Sequence, residues 1–173
     1  MALFYGYGGF MENQKLRPKE LIEELKKPIR YEFMGNEKAF EDNIRENIDI
    51  ICDCLGLPAI KHVGGQNMIT YNGFNIKPDI MVRHIDDSMT VFEVKKANEK
   101  YPCTGTCNQM NAIGQLLLYQ SVLKRIINAP VRVALIDNKI YYRTFWAFID
   151  NKLPITLIEL QKDRLFIPYN GWV

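Results

Sequence analysis

The chain has 173 residues, of which 47% are hydrophobic and 24% charged, with a formal net charge of +2. That is the size and make-up of one globular domain with its own core, and it excludes an intrinsically disordered chain. No apolar run approaches the roughly 20 residues of a membrane helix, and the mild positive balance neither marks a nucleic-acid binder nor forbids one.

In chain order, the opening MALFYGYGGF is apolar but lacks a basic leader and is interrupted by Gly6, Gly8 and Gly9. It reads as an arm packed on the body or on a second subunit, not as a signal peptide. Residues 15–27, KLRPKELIEELKK, have the pattern of a short amphipathic helix, with Pro18 in its first turn and Pro28 at its end. A second helix is expected from Asn36 to Leu55, with Phe40, Ile44, Ile48, Ile51 and Leu55 as its apolar stripe. Asn36 suits its N-cap and Gly56 its C-terminal stop. Glu37 and Glu41 share a face beside that stripe, near the positive end of the helix dipole.

From Ala59 to Ala97 the apolar period changes to two, with Gly64–Gly65 and Asn72–Gly73 as punctuation. The segments DIMVRHI and MTVFEVKKA read as paired strands. Residues 98–109 read as a polar loop, followed by a helix from Gln109 to Ile127 whose apolar residues include Met110, Ile113, Leu117 and Leu123. VRVALI (131–136) reads as a further buried strand. The last forty residues, with IYYRTFWAFI and LFIPY, read as aromatic strands or as a strand plus a helix. The expected architecture is α/β (α+β), a mixed central sheet flanked by helices, in the order α, β meander, α, β. One domain covers 1–173: an accessory arm and helix in 1–35, the core in 36–137 and an extension in 138–173.

The four cysteines, Cys52, Cys54, Cys103 and Cys107, form an imperfect metal-ligand pattern. Two residues apart on a helix do not face each other, so Cys52 and Cys54 do not suit one zinc ion. Without an export signal, reduced thiols and a cytoplasmic location are expected.

The pair of strands around the acidic turn carries unusual charges. Successive strand residues point to opposite faces, so Glu93 and Lys95 share a face with Val91, while Phe92 and Val94 face the core. A three-residue loop Asp86-Asp87-Ser88 would set Met81 opposite Glu93 and Asp79 opposite Lys95, gathering Asp79, Glu93 and Lys95 on one face. Two close carboxylates repel unless one is protonated or a cation lies between them, and their hard oxygens suit Mg²⁺ or Mn²⁺. With an amine alongside, such a site handles anions. Taken singly, Pro78-Asp79 is a common turn and Glu93-Val94-Lys95 a common surface ion pair.

In this spacing, with Pro78-Asp79 fourteen residues before the Glu93-Val94-Lys95 run, the segment resembles the PD-(D/E)xK nuclease superfamily. EKAFE (37–41) on the preceding helix resembles the first-helix glutamate of many members. QLLLY (115–119) is similar to the Q-x3-Y motif of RecB-like nucleases and type I restriction subunits. The resemblance covers roughly 36–137 and implies a restriction-endonuclease-like core in the order α-β-β-β-α-β. It implies that Asp79, Glu93 and the Val94 carbonyl hold a divalent metal and that Lys95 positions or activates the attacking water. Glu41, or else Glu37, would complete the metal site, and Gln115 and Tyr119 would orient Lys95 or contact the phosphate backbone. Lys96, Lys61, Arg45, Arg83 and Lys100 are further candidates for phosphate contacts. His84 and His62 read as ordinary structural residues.

The function so implied is a Mg²⁺- or Mn²⁺-dependent nuclease acting on nucleic acid, most simply DNA. Two alternatives are a non-catalytic nucleic-acid-binding or assembly module on the same fold, and an interaction domain whose acidic hairpin is only surface. The chain has little room for a separate recognition domain, so a homodimer or a partner protein is expected to supply specificity.

Overall fold

Asn36 starts the core: its side-chain carbonyl accepts from Ala39 N at 2.9 Å and caps helix α2, Glu37–Glu46. The computed structural model describes residues 18–27, 35–97, 100–161 and 164–172. The opening MALFYGYGGF lies outside the described residues. The expected second helix is two helices. Asn47 (φ −117°, ψ 21°) interrupts it, its amide donating to the Asn43 carbonyl at 2.8 Å, and α3 runs on as Ile48–Cys54. An Asn side chain that bonds the preceding turn competes with the helix ladder. Phe40, Ile44, Ile48 and Ile51 are nonetheless all buried, as the spacing predicts.

Five short strands follow: β1 Ile60–Gly64, β2 Ile69–Tyr71, β3 Phe74–Ile76, β4 Ile80–His84 and β5 Met89–Lys95. Helix α4 spans Pro102–Ile126, β6 Val131–Asp137, α5 Tyr142–Asn151, β7 Thr156–Gln161 and β8 Arg164–Tyr169, and α1 is Pro18–Lys26. Six strands form one mixed sheet in the order β1-β4-β5-β6-β7-β8, with β5, β6 and β7 parallel and the other pairings antiparallel. The expected order α-β-β-β-α-β is present as α2/α3, β1, β4, β5, α4 and β6. A separate hairpin, β2–β3, is inserted after β1; its turn residues Asn72 and Gly73 have φ of 47° and 80°, the positive values a two-residue hairpin turn requires.

Each face of the sheet is covered. Phe40, Ile44, Ile48 and Ile51 of α2 and α3 pack on Ile80, Val82, Phe92, Val94 and Ile136. The opposite face carries Val91, Val133, Leu135 and Leu157 against α4, α5, the hairpin residue Ile76 and Leu25 of α1.

One expectation is corrected, and two points left open by the sequence are decided. Helix α4 begins at Pro102, seven residues before the expected Gln109, because its first turns dock on the segment before α5. A Cβ at Gly105 would lie 2.5 Å from the Tyr141 ring. The buried stripe of α4 is Ala112, Ile113, Leu116, Tyr119, Val122 and Leu123, leaving Met110 and Leu117 exposed. The aromatic C-terminal segment is a helix, α5, followed by two strands. β7 and β8 extend the central sheet, and Leu157, Ile158, Leu160, Leu165 and Phe166 lie in its core.

Candidate functional site

The β4–β5 register decides which side chains meet. Its pairs are Ile80↔Phe92, Met81↔Val91, Val82↔Thr90 and Arg83↔Met89. His84 N donates to Ser88 O at 2.9 Å, so the loop is Ile85-Asp86-Asp87, one residue earlier than expected. Asp87 takes the left-handed conformation (φ 62°) that closes such a loop, a conformation Asp adopts more readily than most residues. Moving the loop by one residue shifts the pairing by two. A two-residue shift returns every side chain to its expected face. Continuing the register one step sets Asp79 opposite Glu93 instead of Lys95, and the three remain on the α4 side of the sheet. The site thus forms where β4 begins and β5 ends.

Asp79 is held from two directions. Its Oδ2 accepts from Val94 N at 2.9 Å, and its Oδ1 faces the Gln66 amide at 3.4 Å. Its carbonyl accepts from the Arg45 guanidinium, which also donates to Gly64 O at 3.0 Å. The 64–66 turn presses on the same place. A Cβ at Gly65 (φ 129°) would stand 2.2 Å from Asp79 O. Gln66 N donates to Pro78 O at 2.8 Å. Tyr119 OH donates to Lys77 O at 3.3 Å, so Tyr119 fixes the approach to Asp79 from beneath.

Glu93 is 2% exposed. Its Oε1 accepts from Lys95 Nζ at 2.9 Å, while its Oε2 is buried with no hydrogen-bond partner. Lys95 Nζ also donates to Val94 O at 3.0 Å and lies 3.8 Å from Glu37 Oε1. Burial, reinforced by the Asp79 charge and opposed by Lys95, pushes the Glu93 carboxyl up to about 7. Burial also raises Asp79, against the Val94 N–H and the Lys95 charge. For Lys95, burial works against the ammonium, but Glu93, Glu37 and Asp79 together outweigh it and the net shift is upward. Lys95 is therefore a cation at neutral pH. Burial raises the Tyr119 phenol to about 12.

Glu41 approaches from α2, on the far face of the sheet, and is bridged to Asp79 by two side chains, Gln66 to its carboxylate and Arg45 to its carbonyl. The Gln66 amide lies 3.1 Å from each Glu41 oxygen, and Arg45 adds a 3.1 Å ion pair. Among the described residues no three His, Cys, Asp or Glu side chains close around one point. The oxygens available to a hard cation are those of Asp79 and Glu93 and the Val94 carbonyl, which accepts from Lys95 Nζ. The unpartnered Glu93 Oε2 and the uncharged-or-paired dilemma of two facing carboxylates fit such an ion. Glu37 is half exposed and instead lines a cleft of about 520 Å³ with Lys95, Asn108, Asn111 and Gln115. Gln115 thus stands at the cleft mouth and Tyr119 one turn further, buried below it.

Of the basic candidates, Arg45 is an internal brace. Lys61 and Arg83 pair with Asp87 at the opposite end of the hairpin, at 3.0 and 2.8 Å. His84 is structural, its ring nitrogens 2.7 Å from Pro58 O and 2.8 Å from Thr90 Oγ1. Cys52 is buried, with its thiol pushed up to about 12 by burial, and all four cysteines are free.

Two features escape the sequence reading. Gln66, the bridge between Glu41 and Asp79, follows Gly64–Gly65 in what reads as plain punctuation. Beside Lys95 in the sheet, Asp137 and Glu159 continue the same row on the same face. Asp137 is wholly buried; its oxygens accept from Ala97 N at 2.8 Å and Gln109 Nε2 at 2.7 Å, and burial pushes it up to about 7. It ties the chain just after Lys95 to α4. Its place two residues after Leu135, at the end of VRVALI, is the one sequence signal for it.

No protein-family model matches the sequence, and no curated protein matches it. Among solved structures the chain is similar to a repair endonuclease from Pyrococcus abyssi, at 20% identity and a TM-score of 0.45 over 76% of this chain and 49% of that one. It spans about half the length of that protein. It is also similar to an FdxN element excision controlling factor protein from Anabaena variabilis, at 16% identity and a TM-score of 0.47 over 72% of this chain and 96% of that one. A third similar structure is the small subunit of a heterodimeric restriction endonuclease, at 16% identity and a TM-score of 0.39, with 72% and 70% covered. Among the described residues no helix is long and apolar enough to cross a membrane.

Proposed function

We propose that the chain is a Mg²⁺- or Mn²⁺-dependent nuclease of the PD-(D/E)xK type that hydrolyses phosphodiester bonds in DNA. The observation that carries this reading is the buried, unpartnered Glu93 Oε2 of a carboxyl that feels the Asp79 charge, with the Lys95 ammonium alongside. An orphaned carboxylate oxygen in a core is costly, and a cation removes the cost. Asp79, Glu93 and the Val94 carbonyl would hold the ion, and Glu41 would act on it through Gln66. When bound, such an ion supplies Lewis-acid polarisation of a phosphate oxygen and a more acidic water. The chain's own groups supply the rest. Lys95 has three N–H groups and uses two, on Glu93 and Val94. The third meets anionic oxygen in the cleft, where it neutralises charge that grows during attack. Being cationic, it acts electrostatically and not as a base. Tyr119 keeps the Lys77–Asp79 segment in place, and Gln115 contacts the strand at the cleft mouth. A second copy of the chain or a partner protein supplies target specificity.

The test is incubation of the purified chain with single- and double-stranded DNA and Mn²⁺ or Mg²⁺, beside thermal unfolding with and without metal. Metal-dependent cleavage lost in Glu93→Ala and Lys95→Ala, with metal stabilisation lost in Glu93→Ala, supports the reading. Cleavage that persists in both variants refutes it. A second reading, a nucleic-acid-binding module without catalysis, is favoured by the absence of a three-acid cluster among the described residues and by the protein cations already on Glu93 and Glu41. It predicts binding without cleavage across both metals.

A further inference from the structure

The outward stripe of α4 carries two clefts in tandem. The first, beside the carboxylates, is lined by Asn108, Asn111 and Gln115 over Lys95. The second, about 330 Å³, lies between the same helix and the β2–β3 hairpin, with Leu118, Val122 and Arg125 facing Tyr71 and Phe74. The α4 residues follow one another at 108, 111, 115, 118, 122 and 125, alternate steps of three and four along one side of the helix; all but Val122, which is buried at its edge, are exposed. From 108 to 125 the seventeen steps span about 26 Å along the axis at 1.5 Å each.

We infer that this stripe is the floor of a groove for an unpaired nucleic-acid strand, whose bases stack at Phe74 and Tyr71 while its backbone runs to Lys95. The inference rests on the nuclease reading for the direction of the strand. The two ends differ in chemistry as such a ligand requires. Near the carboxylates the α4 wall is carboxamide, able to donate to phosphate and to base edges, with Lys95 and the Glu37 carboxylate completing the lining. At the far end an aromatic pair sits at the tip of the hairpin. Tyr71 and Phe74 are directly paired, flank the Asn72–Gly73 turn and face α4. Phe74 is 59% exposed and Leu118 42%, and because they line one cleft they form a shared apolar patch and not scattered surface residues. Arg125, anchored by Ser121, contributes the cation that accompanies stacking platforms. From Phe74 the chain passes exposed Lys77 to Asp79 within five residues, so the stacking end and the carboxylates belong to one continuous segment. A duplex does not suit this surface, because a paired base has both faces covered by its neighbours and offers no π-face to a ring. An unpaired base does.

The test measures binding without catalysis, by fluorescence anisotropy of labelled oligodeoxythymidylate, oligouridylate and a duplex of equal length, with the full chain in EDTA. One of the single strands is expected to bind at least tenfold tighter than the duplex. Phe74→Ala should weaken it roughly 5- to 150-fold, the range of base–aromatic stacking, and Phe74→Trp should restore it. Arg125→Ala should lower the slope of log K against log salt by about 0.7, one phosphate contact on a single strand. Both residues are exposed, so neither change threatens folding, and unchanged thermal unfolding checks this. Duplex binding as tight as single-strand binding, or affinity within twofold of the parent in both alanine variants, overturns the groove. Because no metal is present, this failure is separable from that of the nuclease reading. Glu93-dependent cleavage with Phe74-independent binding sinks only the groove, and Phe74-dependent binding without cleavage in any metal sinks only the nuclease.

Discussion

Glu93→Gln tests the balance of forces at the site. The neutral amide has the shape of the carboxyl but cannot charge. The Glu93 pKa rises from 4.5 to about 7 on folding, which at 1.36 kcal/mol per pH unit amounts to about 3 kcal/mol. Because the folded value lies above the unfolded one, the folded chain binds the extra proton between about pH 4.5 and 7. In EDTA, Glu93 therefore contributes a loss of about 3 kcal/mol to the parent as the pH rises through that window, beside the loss from Asp137 that both proteins share. Glu93→Gln should lack this loss. It should match the parent near pH 4.5 and exceed it by up to about 3 kcal/mol at pH 8, a gain of about 6–12 °C in Tm for a domain of this size. With Mn²⁺ at a hundred times Kd, the parent should recover about 2.7 kcal/mol and the variant none. Urea unfolding followed by circular dichroism at pH 5 and 8, with EDTA or Mn²⁺, reads all four corners. A variant less stable than the parent at pH 8 in EDTA would show that the Lys95 pair outweighs burial, and the argument for a cation-seeking site would fail.

Other expectations follow from the surrounding geometry. Gly65→Ala forces a Cβ against Asp79 O and should cost about 2–4 kcal/mol and blunt Mn²⁺ stabilisation, measured by thermal unfolding with and without metal. Asp137→Ala strips Gln109 of a buried acceptor and should cost about 2–4 kcal/mol in urea unfolding at pH 8. Under native conditions near pH 7.5, exposed Cys103 and Cys107 should label with a maleimide well before buried Cys52, as mass spectrometry of the peptides would show. Lys95→Ala should reduce cleavage about 10²-fold or more while leaving metal stabilisation in place, since the metal-facing oxygens remain.

The sequence by itself determined the local grammar. Asn36 caps a helix because its short amide reaches the next turn. Phe92 and Val94 go to the core and Glu93 and Lys95 to the other face, because strand side chains alternate whatever the partner. Asp79 kept its face through a register error, since the error was an even number of residues. What the sequence left open depended on contacts between distant segments. Leu116, Leu117 and Leu118 are equally apolar, and only the position of the sheet decides that Leu116 is buried and the other two face out. The early start of α4 needed Tyr141 beside Gly105, and the aromatic run 142–151 became a helix because its inward face, Phe145 and Phe148, found a place over the sheet. Gln66, Arg45 and Asp137 acquire their roles from partners 25, 34 and 28 residues away in sequence, through bonds to Glu41, Asp79 and Gln109. Periodicity extends over a few turns of one segment, whereas a buried polar group takes its partner from wherever the chain returns, and that return is fixed only by packing the whole sheet.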